Sequence, residues 1–257
     1  QLLVVGGVIS IILGLVGWIF AADLLRIMGA EEQVVASGTN YARIVFAGNT
    51  AIMLLFLING AFRGAGQAHL AMRSLWIANG LNIVLDPLLI FGLGTWEGFG
   101  LDGAAIATTF GRSIGVIYQL YHLFNGKHKL TILWKNVAIK WQTVQKIIDL
   151  SLGGMGQFLI DSISWVALTR MNAEFGSAAL AGYTIAFRVL LFTILPAWGL
   201  SAAAATLVGQ NLGAKKVRRA EQAVWLTTRY NVIFMASVTG IYILFSQGLA
   251  GFFTDIP

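Results

Sequence analysis

The chain has 257 residues, 57% of them hydrophobic and 11% charged, with a mean hydropathy of +0.77 and a net charge of +6. Soluble domains carry about 25% charged residues, so this composition excludes a soluble globular domain and points to an integral membrane protein. The positive charge fits the Lys- and Arg-rich cytoplasmic loops of membrane proteins rather than a nucleic-acid partner, and the absence of cysteine excludes disulfides and thiolate metal sites.

A spanning helix needs about 20 mostly apolar residues. Seven segments meet this: 2–22, 41–62, 72–92, 103–125, 147–170, 178–209 and 223–253. The first opens at Gln1 without a Met or leader, and the closing FFTDIP follows directly on a helix, so the chain reads as a piece of a longer protein. The last two segments are long enough to tilt or break, and Pro196 is expected to kink the sixth. Every second loop is basic: Arg63 and Arg73; then Lys127, Lys129, Lys135, Lys140 and Lys146; then Lys215, Lys216, Arg218 and Arg219. The loops between hold Asp23, Glu31, Glu32, Glu97, Asp102 and Glu174. This alternation supports the count of seven and puts Gln1 on the cytoplasmic side.

The fold class expected is therefore all-α, a polytopic membrane bundle. The polar stretch 126–146, with Trp134 and Trp141, reads as an amphipathic segment on the inner leaflet. It divides the chain into 1–125 (four helices), the linker 126–146, and 147–257 (three helices). A faint repeat relates WIFAADLLRIMGA (Trp18–Ala30) to ILFSQGLAGFFTD (Ile243–Asp255) at an offset of 225 residues, as in transporters built from two related halves.

The chemistry centres on NIVLDPLLIFG, Asn82–Gly92. A carboxylate within a span costs about 2.5–3.5 kcal/mol and normally faces a bundle interior or a watery cavity. Asn82 and Asp86, four apart, share a helix face. Their oxygens suit Na⁺ or a transferable proton, and Pro87 leaves the carbonyl of Ile83 without its usual donor. Thr108, on the next helix, is a candidate to complete that site. Asp161, with Gln157 four residues earlier, is a second intramembrane acid, in the second half. Its alternative is a structural partnership with Arg188 or Arg112. Arg43 and Arg229 are expected to snorkel towards an interface. Gly60-xxx-Gly64, Gly111-xxx-Gly115 and Gly209-xxx-Gly213 permit close helix packing. His69, His122 and His128 lack metal-ligand spacing. No nucleophile triad or nucleotide loop is present, so no enzyme activity and no cofactor are expected.

Three segments resemble the multidrug and toxic compound extrusion (MATE) transporters: GAFRGAGQ (Gly60–Gln67), NIVLDPLLIFGLG to GLDGAAIATT (Asn82–Thr109), and AAAATLVGQNLGAKKVRRAE (Ala202–Glu221). The resemblance implies about twelve helices in two six-helix lobes, of which this chain is similar to helices three to nine. It implies export of small organic, amphipathic cations by antiport with Na⁺ or H⁺, from the cytoplasmic (inner) membrane, by a protein monomeric at full length. It also implies a cation-coupling role for Asn82, Asp86 and Thr108, with Na⁺ as a metal ion they could hold and an acid on a first helix outside this sequence. Asp161 falls where the NorM-like branch often has Glu, and the residues around it differ, so the NorM-like and DinF-like branches stay open; Gln67, a loop position of little weight, stands where many members have Asp. Besides lipid contact, two other functions are carried: a lipid or lipid-linked oligosaccharide flippase of the same superfamily, which Arg112 and Arg188 would suit, and a seven-helix receptor or intramembrane enzyme.

Overall fold

A computed structural model describes residues 1–28, 30–126, 130–132, 139–174 and 177–251. Among them are nine helices: α1 (Leu2–Ile19), α2 (Ala21–Ile27), α3 (Glu32–Ala47), α4 (Asn49–Gly64), α5 (Ala68–Phe91), α6 (Leu101–Phe124), α7 (Trp141–Glu174), α8 (Ser177–Gly213) and α9 (Val217–Gly251). They form two compact units, Gln1–Ile147 and Ile148–Pro257. Much of the linker 126–146, including Trp134 and His128, lies outside the described residues, as do the side chains of Arg188 and Glu174.

The seven expected spans are redrawn in three ways. The first divides at Phe20 into α1 and α2, and the Arg26 guanidinium pairs with Glu32 at 2.9 Å to fasten the turn into α3. The second is a bent pair: α3 and α4 meet at Gly48 at 44°. The fifth begins earlier, at Trp141, so the tail of the amphipathic stretch belongs to α7. By length and apolarity alone, four helices qualify as spans, or five with the bent pair as one. Helix α6 is not among them because it carries Thr108, Thr109, Arg112, Ser113, Gln119 and His122 within 24 residues.

That polarity is accommodated by packing. The buried positions of α6 include Gly103, Ala107, Gly111, Gly115, Gln119 and Leu123, one every four residues, which makes a single stripe along the helix. The stripe meets α5. A Cβ added at Gly103 would stand 2.1 Å from the carbonyl oxygen of Leu89, one at Gly111 2.7 Å from that of Ala78, and one at Gly115 3.2 Å from that of Ser74. Small residues here let two backbones touch. By contrast, added Cβ atoms at Gly60, Gly64, Gly209 and Gly213 would meet nothing within 4 Å, so only one of the three expected small-residue motifs forms an interface among the described residues.

The apolar core of the first unit lies towards the α4–α5 turn: Leu55, Ile58 and Phe62 from α4, Leu70 and Ala71 from α5, Val116 and Leu123 from α6. Beside it is a buried polar cluster. Gln119 Nε2 donates to Asn59 Oδ1 at 2.7 Å and to Ser74 Oγ at 2.8 Å, and all three side chains are at most 1% exposed. Gln67 is buried at the start of α5 and its side-chain carbonyl accepts from Leu130 N–H at 3.3 Å. Leu130 and Ile132 pack on the core, so the chain leaving α6 is tied back to the α4–α5 turn.

In the second unit, Trp165 of α7 packs edge-on against Phe187 of α8, with ring centroids 4.1 Å apart. The hydroxyls of Thr193 and Tyr242 pair across α8 and α9, and Tyr242 also donates to the carbonyl of Val189 at 3.1 Å. Helix α8 continues through Pro196. The departure from helical geometry falls instead on α9, at Phe245 (φ −119°, ψ 18°).

Candidate functional site

Helix α5 runs unbroken through Pro87 to Phe91, so the expected pair sits on continuous helix and not beside a break. Proline lacks the N–H that would serve the Ile83 carbonyl, which leaves that oxygen between Asn82 and Asp86 in sequence. Asn82 Nδ2 donates to Asp86 Oδ1 at 2.8 Å and reaches Thr108 Oγ1 of α6 at 3.5 Å. All three side chains are half-buried. The three candidates of the first unit therefore meet in one cluster.

Gly111 explains how. It lies three residues beyond Thr108, against Ala78 and 3.6 Å from the backbone nitrogen of Asn82 when given a Cβ. Without that close approach, α6 would stand too far from α5 for the hydroxyl to reach the amide. Chemically, the cluster offers one carboxylate, one amide and one hydroxyl. With its nitrogen turned inward, the Asn82 amide donates to the Asp86 carboxyl oxygen. A half-turn of the amide would present Oδ1 beside Asp86 Oδ1 and Thr108 Oγ1, three hard oxygen donors for Na⁺. Protonation of Asp86 would instead make it a donor.

Arg112, on the same face of α6 one turn beyond Thr108, forms no ion pair among the described residues. Asp161 and Gln157 are exposed on α7. Asp161 has no hydrogen-bond or ion-pair partner among the described residues, and Arg188, offered above as its partner, has a side chain outside them. The described residues hold no group of three His, Asp or Glu able to bind a metal. Arg43 is exposed, and its guanidinium lies over the ring of Trp18, 5.5 Å from the centroid.

The family model MatE matches residues 1–88 and 155–257. The chain belongs to the MatE family. The match covers Asn82, Asp86 and Asp161 but not Thr108. Among curated relatives, the probable multidrug resistance protein YoeA of Bacillus subtilis is 26% identical over 96% of this chain. The multidrug export protein MepA of Staphylococcus aureus is 24% identical over 97%, and the FAD transporter of Shewanella oneidensis 26% over 95%. This MatE chain spans about half the length of these relatives, 54% in each case. Among solved structures, MATE in the bent conformation superposes with a TM-score of 0.90 at 28% identity, over 99% of this chain and 56% of that one. An outward-facing multidrug resistance MATE transporter of the MOP superfamily gives 0.85 at 28%, over 98% and 56%. The all-α membrane architecture and membership of the MatE family follow. The relatives' names speak of drug and FAD transport, and favour neither a flippase, a receptor nor an enzyme.

Proposed function

We propose that this chain is part of a secondary active antiporter that exports cationic amphipathic compounds in exchange for Na⁺ or H⁺. The observation that carries the reading is the Asn82 amide, which bridges Asp86 and Thr108 between two helices held backbone to backbone. Asp86 is the ion-binding group, Asn82 and Thr108 complete its shell, and no cofactor takes part beyond the coupling ion. A proton or Na⁺ at Asp86 changes the charge facing the bundle interior, and drug and ion compete for the conformations that follow. Asp161 with Gln157 is a candidate for a second polar site in the other unit.

The lobes implied are 1–125 and 147–257, joined by the linker 126–146, in the cytoplasmic membrane. The basic loops support a cytoplasmic side for residue 1. Two of them share one backbone: Gly66 (φ 78°) and Lys215 (φ 57°) each sit in a left-handed turn between helices, with matching hydrogen bonds on either side.

The test uses the protein at the full length its gene encodes, reconstituted in liposomes. Export of a fluorescent organic cation is measured under a Na⁺ gradient and, separately, a pH gradient. Gradient-driven export in the wild type that is lost in Asp86→Asn names the ion and places Asp86 in the coupling step. Export unchanged in the variant moves that role to Asp161 or elsewhere in the full protein.

A further inference from the structure

We propose that a second site, the cavity around Arg43 and Trp18, binds the carboxylate or phosphate of an amphipathic solute, which makes this protein a carrier for molecules bearing an anionic group. The inference does not rest on the ion-coupling role of Asp86.

The cavity is about 580 Å³ and lies between α1, α3, α4 and α6, open at its side, within the range of small-molecule sites. Gly48, where α3 and α4 meet at 44°, is part of its lining. Its polar lining is Arg43, Asn40, Thr50, Thr109 and Ser113. Arg43 is exposed and lies three residues beyond Asn40, whose amide reaches Asp102 in the first turn of α6, and Trp18 is the last but one residue of α1, so the guanidinium stands near one end of these helices. Among the described residues it has no acid partner: both ion pairs belong to Arg26. The acid on the flanking helix, Asp102, accepts instead from Asn40 Nδ2 at 2.8 Å. Among the described residues Arg43 is held by the face of Trp18 alone, an arrangement that orients the guanidinium and leaves its N–H donors available to an anion.

The solute's other half has a place as well. A second cavity of about 400 Å³ adjoins the first and shares Trp18, Ala47 and Thr50 with it, but is otherwise lined by Ile11, Gly14, Leu15 and Phe46. Trp18 thus borders both the cavity that holds Arg43 and hydroxyls and an apolar hollow. An anionic headgroup alone, such as inorganic phosphate, would leave the second cavity unused; an amphipathic molecule fills both.

The experiment measures equilibrium binding of two dyes to the purified full-length transporter by fluorescence anisotropy, with no gradient. Rhodamine 110 carries a free carboxylate, and rhodamine 123 is its methyl ester on the same cationic ring system. The wild type is expected to bind rhodamine 110 more tightly. Arg43→Gln should weaken rhodamine 110 by about tenfold, the loss of one charge-assisted contact, and rhodamine 123 by less than about twofold. Arg43→Lys should recover part of the difference. Equal weakening of both dyes, or of neither, overturns the site. So does phosphatidylglycerol that co-purifies with the wild type and is lost in Arg43→Gln without any difference between the dyes, which would assign the cavity to a lipid headgroup. Carboxylate-selective binding by a protein that fails to export cations would sink the coupled-export reading and leave this one standing.

Discussion

Phe20 and Phe245 leave helical geometry at the same point of a repeated segment. Their φ and ψ are −94° and 18°, and −119° and 18°. They stand 225 residues apart, the offset that aligns WIFAADLL with ILFSQGLA. The likeness of those two stretches in sequence is slight, since any pair of helix ends shares small and apolar residues. A break on the aligned phenylalanine in both is more specific, and it is what two related halves would inherit.

The Thr108 hydroxyl completes the cluster on Asp86. Thr108→Val keeps the shape and removes the contact, worth about 0.5–1.5 kcal/mol for a typical hydrogen bond. The coupling-ion concentration for half-maximal export should rise between about twofold and tenfold, with the maximal rate largely kept. An unchanged half-saturation under both gradients removes Thr108 from the site.

The glycines of α6 differ from those of α4 in what they face. Gly111→Ala pushes a methyl against the backbone of Ala78 and should cost about 1–3 kcal/mol, the usual range for overpacking. Gly60→Ala meets open space and should be neutral or slightly stabilising. Thermal unfolding of the two variants in detergent separates them; equal melting temperatures would contradict the tight α5–α6 contact.

Gln119 is the hub of a buried polar group. Gln119→Leu leaves Ser74 Oγ without its donor and removes one of the two donors to Asn59 Oδ1, the other being Ser74 Oγ at 3.0 Å, at about 1–3 kcal/mol for an unsatisfied group. A large drop in melting temperature is expected. Gln119→Leu combined with Asn59→Leu should cost less than the sum of the single changes, because removing both partners leaves fewer orphans.

Lys215 adopts the left-handed conformation that its counterpart Gly66 adopts without strain. A non-glycine residue there costs about 1–2 kcal/mol. Lys215→Gly is therefore expected to stabilise the α8–α9 turn and Gly66→Ala to destabilise the α4–α5 turn, by about 1 kcal/mol each. Chemical denaturation followed by tryptophan fluorescence would show both signs.

Much of this was legible in the residues. Hydropathy and the alternating basic loops located the long helices, and an acid with Asn four before it marked the α5 cluster. The bend at Gly48 was not legible, because a glycine in an apolar run gives no angle. Nor did Arg43 announce its place: an arginine near a helix end snorkels or stacks according to a tryptophan on another helix, which periodicity does not reveal. Nothing in the sequence marked Gln67 as an anchor, yet its side-chain carbonyl accepts from Leu130 N–H, a contact between residues far apart in sequence. Phe245 was not legible either: α9 leaves helical geometry there with no proline to mark the place, whereas α8 continues through Pro196.

The glycine stripe has a mechanical consequence. Two helices separated by long side chains can slide, since rotamers absorb small displacements. Where Gly103, Gly111 and Gly115 bring backbone against backbone, there is no such slack. Helices α5 and α6 then behave as one stiff beam, so a displacement begun at Asp86 would arrive undamped at Thr109 and Ser113, on the wall of the Arg43 cavity.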